Sequence, residues 1–178
     1  MAFTTIDDPS EYFETVLWTG NATGRNIAVN FQPDFVWTRN RDDATFHLLY
    51  DSTRGAGKAL RSNSTNDESS VASDEITAFI STGFTIGTGD DVNANTEKIL
   101  AWNWKANGGT TTTNDASATS VGNQDSVYQA NTTAGFSIVT WDGVSQVGTM
   151  AHGLSAVPHV MIVKCRSTDG ERWETYHH

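Results

Sequence analysis

Short β-rich runs of apolar residues follow one another along this chain, each closed by a polar turn. Tyr12–Thr19 stops at Gly20-Asn21, and Arg25–Val29 is a weaker run after it. Phe35–Arg39 follows Gln32-Pro33-Asp34 and breaks at Asn40–Asp43. Phe46–Tyr50, Lys58–Arg61, Ile76–Ile80 and Gly83–Ile86 come next, and Lys98–Lys105 is the last strong run. In it Leu100, Trp102 and Trp104 share one face at a period of two, the spacing of a strand. About eight short strands at this spacing predict an all-β sandwich or jelly roll rather than a helical or βαβ fold. No amphipathic helix exceeds two turns. Ser73–Ile80 is the one place where a helical turn competes.

The first unit therefore spans 12–107. Beyond it the text changes: Asn107–Asp115 is Gly-, Thr- and Asn-rich, and 108–134 reads as a polar linker. Weak strand character returns only at Ser126–Gln129.

Residues 135–178 then restart the opening pattern. Phe13, Val16, Trp18 and Gly20 match Phe136, Val139, Trp141 and Gly143 at a constant offset of 123. Pro33, Phe35 and Arg41 match Pro158, Val160 and Arg166 at 125, and Tyr50 matches Tyr176 at 126. Matches in fixed order mark a tandem repeat. The second unit, 135–178, reaches only the opening half of the pattern. An open sheet edge is expected there, covered by a partner chain, by the first unit or by further chain of a longer protein.

Composition supports this reading. Gly, Ser, Thr, Asn and Asp are abundant and Pro is scarce, which suits strands joined by turns. Acidic side chains number 21 against 11 basic ones, a net charge of -10. That balance excludes a phosphate-backbone binder and docking on anionic lipid. No run approaches the ~18 apolar residues of a membrane span. The start lacks a basic n-region and an apolar h-region, so no signal peptide is expected. The single cysteine, Cys165, rules out an intrachain disulfide framework. It is expected to pack as a small inert side chain in or beside a strand.

Few residues carry candidate chemistry. Gly55-Ala56-Gly57-Lys58-Ala59 lacks the early Gly and the Ser/Thr of a phosphate loop, so it is read as a turn entering a strand. The five His show no metal-ligand spacing, and no Gly-x-Ser-x-Gly elbow accompanies them. No enzyme and no catalytic residue are expected. Asp90, Asp91, Asn93 and Asn95 form the best candidate Ca²⁺ loop, because Ca²⁺ takes oxygens from flexible acidic loops; solvated turn residues are the commoner explanation. Exposed aromatics stack on sugars, which makes Trp37 and Trp173 candidate glycan contacts. Trp18 and Trp141 occupy equivalent repeat positions, and core packing is the favoured role for the tryptophans.

Tyr12–Asn21, Phe31–Trp37, Arg39-Asn40-Arg41, Asp51–Ala56, Gly83–Gly87 and Ala101–Ala106 together resemble a repeat of marine bacteriophage structural proteins. Ala134–Thr140 and His152-Gly153-Leu154 resemble the next unit of such an array. The resemblance covers nearly the whole chain. It implies concanavalin-A-like jelly-roll sandwiches in a tail-fibre or capsid-appendage protein of cyanophage-like viruses. It implies no catalytic residues. A virion location is expected, after assembly in the bacterial host cytoplasm. Expected partners are other virion proteins (capsid, tail or portal-adaptor components) and further copies of the chain, with residues 1–11 as a docking arm. A host surface glycan is the expected ligand of a lectin-like alternative, and a glycan-degrading enzyme is a third reading.

Overall fold

The structure is a computed structural model and describes residues 6–70 and 74–178. Among these residues the chain forms fourteen strands and two single-turn α-helices, so the protein is all-β. The strands are β1 (Phe13–Thr19), β2 (Arg25–Ala28), β3 (Phe35–Asn40), β4 (Leu48–Asp51), β5 (Lys58–Arg61), β6 (Ser69–Ser70) and β7 (Ile76–Ile80). They continue as β8 (Gly83–Ile86), β9 (Lys98–Trp104), β10 (Thr112–Asn114), β11 (Ser126–Asn131), β12 (Phe136–Thr140), β13 (Val160–Lys164) and β14 (Trp173–His177). The helices are α1 (Asp90–Asn93) and α2 (Ala116–Thr119).

Two antiparallel sheets enclose the main core. One has six strands in the order β1-β9-β3-β4-β5-β6, and the other has three, β2-β8-β7. Strand alternation sends Val36, Leu48, Tyr50, Ala59 and Ala101 from the large sheet onto Ile27, Ile76, Phe84 and Ile86 from the small one, with Val92 of α1 beside them. The interior supplies most of the stabilisation, since each fully buried apolar side chain contributes roughly 1.5–3 kcal/mol. The β7–β8 turn needs Gly83, whose φ is +138°. A Cβ there would lie 2.0 Å from the Ile27 carbonyl oxygen, so only glycine lets β2 approach β8.

Two buried polar side chains are held by several partners each. Asn93 is fully buried at the end of α1 and donates to the carbonyls of Thr23 and Gly87 at 2.9 and 2.7 Å. Its Oδ1 accepts from the Asn21 amide at 3.0 Å, so one side chain pins the β1–β2 loop and the loop after β8 to α1. Arg54 lies against Asp51 at 2.5 Å and Glu68 at 2.7 Å, and donates to the Lys58 carbonyl. Pairing of this kind is what allows a guanidinium to leave water.

One segment departs from the sequence reading and one competing alternative is settled. Ile76–Ile80 is strand β7 as its β-rich run predicts, pairing with β8 rather than taking the competing helical turn; Ser73 lies outside the described residues. Segment 108–134, expected to be a polar linker, holds β10, α2 and β11. Pairing with β12 makes a three-stranded sheet of its weak local pattern.

The buried carboxylate of Asp34 ties this segment to the first sheet. It accepts from the amides of Ala106, Gly108 and Gly109 and from the Ser52 hydroxyl at 2.7–2.8 Å. Gln129 completes the junction, donating to the Ser52 and Thr53 hydroxyls and accepting from Gly109.

The β13–β14 hairpin is the last element. It touches the segment around β5 and β6 through Trp173 Nε1 on the Arg61 carbonyl (2.8 Å), Lys164 Nζ on the Thr65 carbonyl (3.0 Å) and the Glu68 amide on the Arg166 carbonyl (2.9 Å). Cys165, expected to pack, is exposed beyond β13. A two-stranded hairpin offers no second layer to bury it.

Candidate binding surface

The outer face of the six-stranded sheet is built by strand register. β1 contributes Phe13, Thr15 and Leu17; β9 contributes Trp104, Trp102 and Leu100; β3 contributes Phe35, Trp37 and Arg39. These residues meet in three rows, because β1 and β3 both pair with β9: Phe13–Trp104–Phe35, Thr15–Trp102–Trp37 and Leu17–Leu100–Arg39. The spacing of strands, about 4.8 Å, brings neighbouring rings into contact. Phe13 lies 4.9 Å from Trp104 and Phe35 lies 5.4 Å from it, centroid to centroid. Trp37 meets Trp102 edge-to-face at 5.5 Å.

One end of this plate is covered. Phe136 of β12 stacks on Trp104 at 6.2 Å and meets Phe35 at 6.1 Å. The other end is open, and Leu17 there is 58% exposed. Arg39 stands at that end, near His47, whose pKa is lowered by partial burial first and by the Arg39 charge second. The Trp37 ring nitrogen is shielded from solvent and has no hydrogen-bond partner, which costs about 1–3 kcal/mol.

A second feature lies where the terminal hairpin meets the first unit. Ser62, Asn63, Ser64, Thr65, Arg172 and Trp173 line an open groove of about 520 Å³. The Trp173 ring is fixed there by its bond to the Arg61 carbonyl. A held aromatic beside hydroxyls, an amide and a guanidinium offers stacking and hydrogen bonding together.

The tryptophans thus divide. Trp18 is a core residue: its Nε1 donates to the Val92 carbonyl at 2.9 Å and its ring meets Phe84. Trp37, Trp102 and Trp104, for which core packing was favoured, lie half-buried on the outer face instead. Periodicity shows that Trp102 and Trp104 share a face; it does not tell which face is inside. Trp37 and Trp173, the two candidate glycan contacts, belong to separate surfaces, the aromatic plate and the groove.

The candidate Ca²⁺ loop is taken apart by the fold. Asp90, Asp91 and Asn93 lie in α1, and Asn95 is exposed past its end. Asn93 spends its side chain on the three bonds described above. Asp91 accepts from the Phe46 amide at 3.2 Å and faces Glu75. Among the described residues no three His, Cys, Asp or Glu side chains converge as a metal site.

One titratable group was not singled out in the sequence. Glu75 is buried and accepts from the Tyr50 hydroxyl. Burial first, then the charge and hydrogen bond of Asp91, push its pKa up to about 8. No local signal in Ser-Asp-Glu-Ile marks it, since burial of that carboxyl is decided by how two sheets close. Among the described residues, no helix is long and apolar enough to cross a membrane.

These features define an all-β protein with one aromatic sheet face partly open to solvent. A family model described as a domain of unknown function (DUF7483) matches residues 8–178, and the chain belongs to that family. No curated protein and no solved structure matches it.

Proposed function

We propose that this chain is a non-catalytic virion structural module of the tail-fibre or capsid-surface type, acting as spacer and adhesion scaffold. In this reading it is a tandem array of concanavalin-A-like jelly rolls with an incomplete second unit. The assignment to a phage particle rests on the sequence resemblance, and the tandem part has a geometric support of its own. β3 pairs with β4 through Phe35–Asp51 and Val36–Tyr50. β13 pairs with β14 through Val160–His177 and Met161–Tyr176. The sequence offsets of 125 and 126 carry one register onto the other, residue for residue. A rigid repeat that contacts mainly its neighbours suits a spacer.

Residues 8–11 sit in a short 3₁₀ turn capped by the Asp8 carboxylate, beside a depression lined by Asn30, Phe31 and Lys105. Residues 1–5 of the proposed docking arm lie outside the described residues. Mass spectrometry and cryo-EM of purified particles test the assignment: density for this chain at a repeating position is expected, and absence from particles overturns it. Incorporation of a chain lacking residues 1–11 would overturn the role of the arm.

The Trp173 groove favours a second reading, a lectin-like contact with host glycan. Glycan-array binding that is lost in Trp173→Ala is expected; no binding, with and without Ca²⁺, refutes it.

A further inference from the structure

We propose that the open end of the large sheet's outer face is a binding site for an acidic oligosaccharide, one whose sugar ring carries a carboxylate or a sulfate. The site lies apart from the Trp173 groove and goes beyond the lectin-like reading given for that groove.

Strand register builds it. The rows of the outer face continue past Leu17–Leu100–Arg39. Thr19 lies opposite Lys98, and the Arg41 amide donates to the Lys98 carbonyl at 2.8 Å, so Arg41 keeps step one residue beyond β3. Alternation puts Thr19, Lys98 and Arg41 on the same face as the row before them, and all three are exposed. Arg25 joins them from β2, its guanidinium donating to the Thr19 carbonyl at 2.5 Å. Arg25, Arg39, Arg41 and Lys98 thus gather at one corner of a protein with only 11 basic residues and a net charge of -10.

The acids of that corner are turned elsewhere. Asp42 accepts from the Lys98 amide at 2.8 Å and lies 3.9 Å from its Nζ. Asp43 accepts from the Ala44 amide at 2.7 Å, and Glu97 from the Asn40 side chain. Among the described residues no carboxylate pairs with Arg39 or Arg41. Arg39 is half-buried, and a guanidinium drawn from water without a counter-charge gains most from one. The overall field of an acidic chain repels anions, so these short contacts must hold the ligand.

The rows behind the cations say what else the ligand carries. Leu17, 58% exposed, and Leu100 lie beside Arg39, and Thr15, Trp102 and Trp37 form the next row, about 7 Å away. A sugar ring can lay its C–H face on Leu17 and the half-exposed Trp102 indole while its acid group meets a guanidinium in bidentate fashion. An inorganic anion would leave the apolar rows unused, and a neutral sugar would leave Arg39 unpaired. Strand addition by an acidic peptide needs free backbone, and β9 and β3 are each paired on both sides.

His47 reports on the site. It stands next in the Arg39 row, one residue before β4. Burial first and the Arg39 charge second hold its pKa down, so an anion on Arg39 should raise it.

The test titrates the full chain, by calorimetry and by NMR of the His47 ring, with trigalacturonate, trimannuronate and a sulfated galactotriose. Neutral methyl-esterified trigalacturonate, inorganic sulfate and hexaglutamate are the controls. At least one acidic sugar is expected to bind about tenfold or more tighter than every control, the scale of one charge-assisted hydrogen bond, and to raise the His47 pKa. Arg39→Gln and Arg41→Gln should each weaken that binding about tenfold, as should Lys98→Gln at a fully solvated position, while Trp173→Ala leaves it unchanged. Failure of all three acidic sugars, or equal binding of any control, overturns the proposal. Binding that survives Arg39→Gln and Arg41→Gln but is lost in Trp173→Ala belongs to the groove; it overturns this site and leaves the lectin-like reading standing.

Discussion

Replacing Glu75 by Gln should change the pH dependence of stability more than stability itself. Glu75 is buried, with the Tyr50 hydroxyl donating to it and Asp91 beside it. Its folded pKa of about 8 stands above its ordinary value of 4.5. The folded state therefore holds a proton that the unfolded state has released throughout that window. By linkage the stabilisation is complete below pH 4.5, falls as pH rises and is gone above about 8. Each pH unit is worth about 1.4 kcal/mol for one proton, so the window holds at most ~5 kcal/mol. Water reaching the carboxyl lowers that figure, and a loss of about 2 kcal/mol or more is expected.

Glutamine keeps an acceptor for Tyr50 and a donor for Asp91, yet it cannot ionise. Urea unfolding followed by tryptophan fluorescence at pH 5, 6.5 and 8.5 measures the effect. At pH 5 the variant should match the native chain within about 1 kcal/mol, the scale of one exchanged hydrogen bond. At pH 8.5 it should be the more stable of the two. Parallel pH profiles for the two proteins would refute the assignment of a protonated Glu75.

Other consequences are as direct. Asp34→Ala leaves the amides of Ala106 and Gly108 without their acceptor, Gly109 keeping Gln129, and should cost about 3 kcal/mol or more in chemical denaturation, with faster amide exchange at Ala106 and Gly108. Gly83→Ala combines a φ of +138° with a 2.0 Å clash and should give little folded protein by circular dichroism. Trp102→Ala opens the outer plate beside Trp37 and should lower stability by about 2–3 kcal/mol, less than the cost of a fully buried tryptophan. Cys165 is exposed, and bonds from Ser167 and Thr168 lower its thiol pKa, so it should react with iodoacetamide in the folded chain at least as fast as in an unfolded one. Protection of that thiol would mean the hairpin is covered.

The strands of the first unit were legible because each carries its own turn signals and β-rich composition. Lys58–Arg61, Ile76–Ile80 and Gly83–Ile86 fall where the sequence places them. The candidate surfaces were legible only in part. Trp37 and Trp173 could be singled out as aromatic, but their partners could not: Trp102 stands opposite Trp37 through pairing of strands more than sixty residues apart in sequence. The groove at Trp173 exists because Arg61 and Trp173, 112 positions apart, are joined by one hydrogen bond.

By itself, then, the sequence determined most of the strands between residues 12 and 107 and where they turn, and it carries matching residues 123 positions apart. Those are local matters of turn chemistry and alternation. Tertiary structure decided which face of each strand is inside. It turned a Thr- and Asn-rich stretch into sheet by giving it β12 to pair with, buried Glu75 against Tyr50 and Asp91, and set β13 against β14. Each of these depends on what a distant segment brings to within a few ångströms, and a period of two carries no record of it.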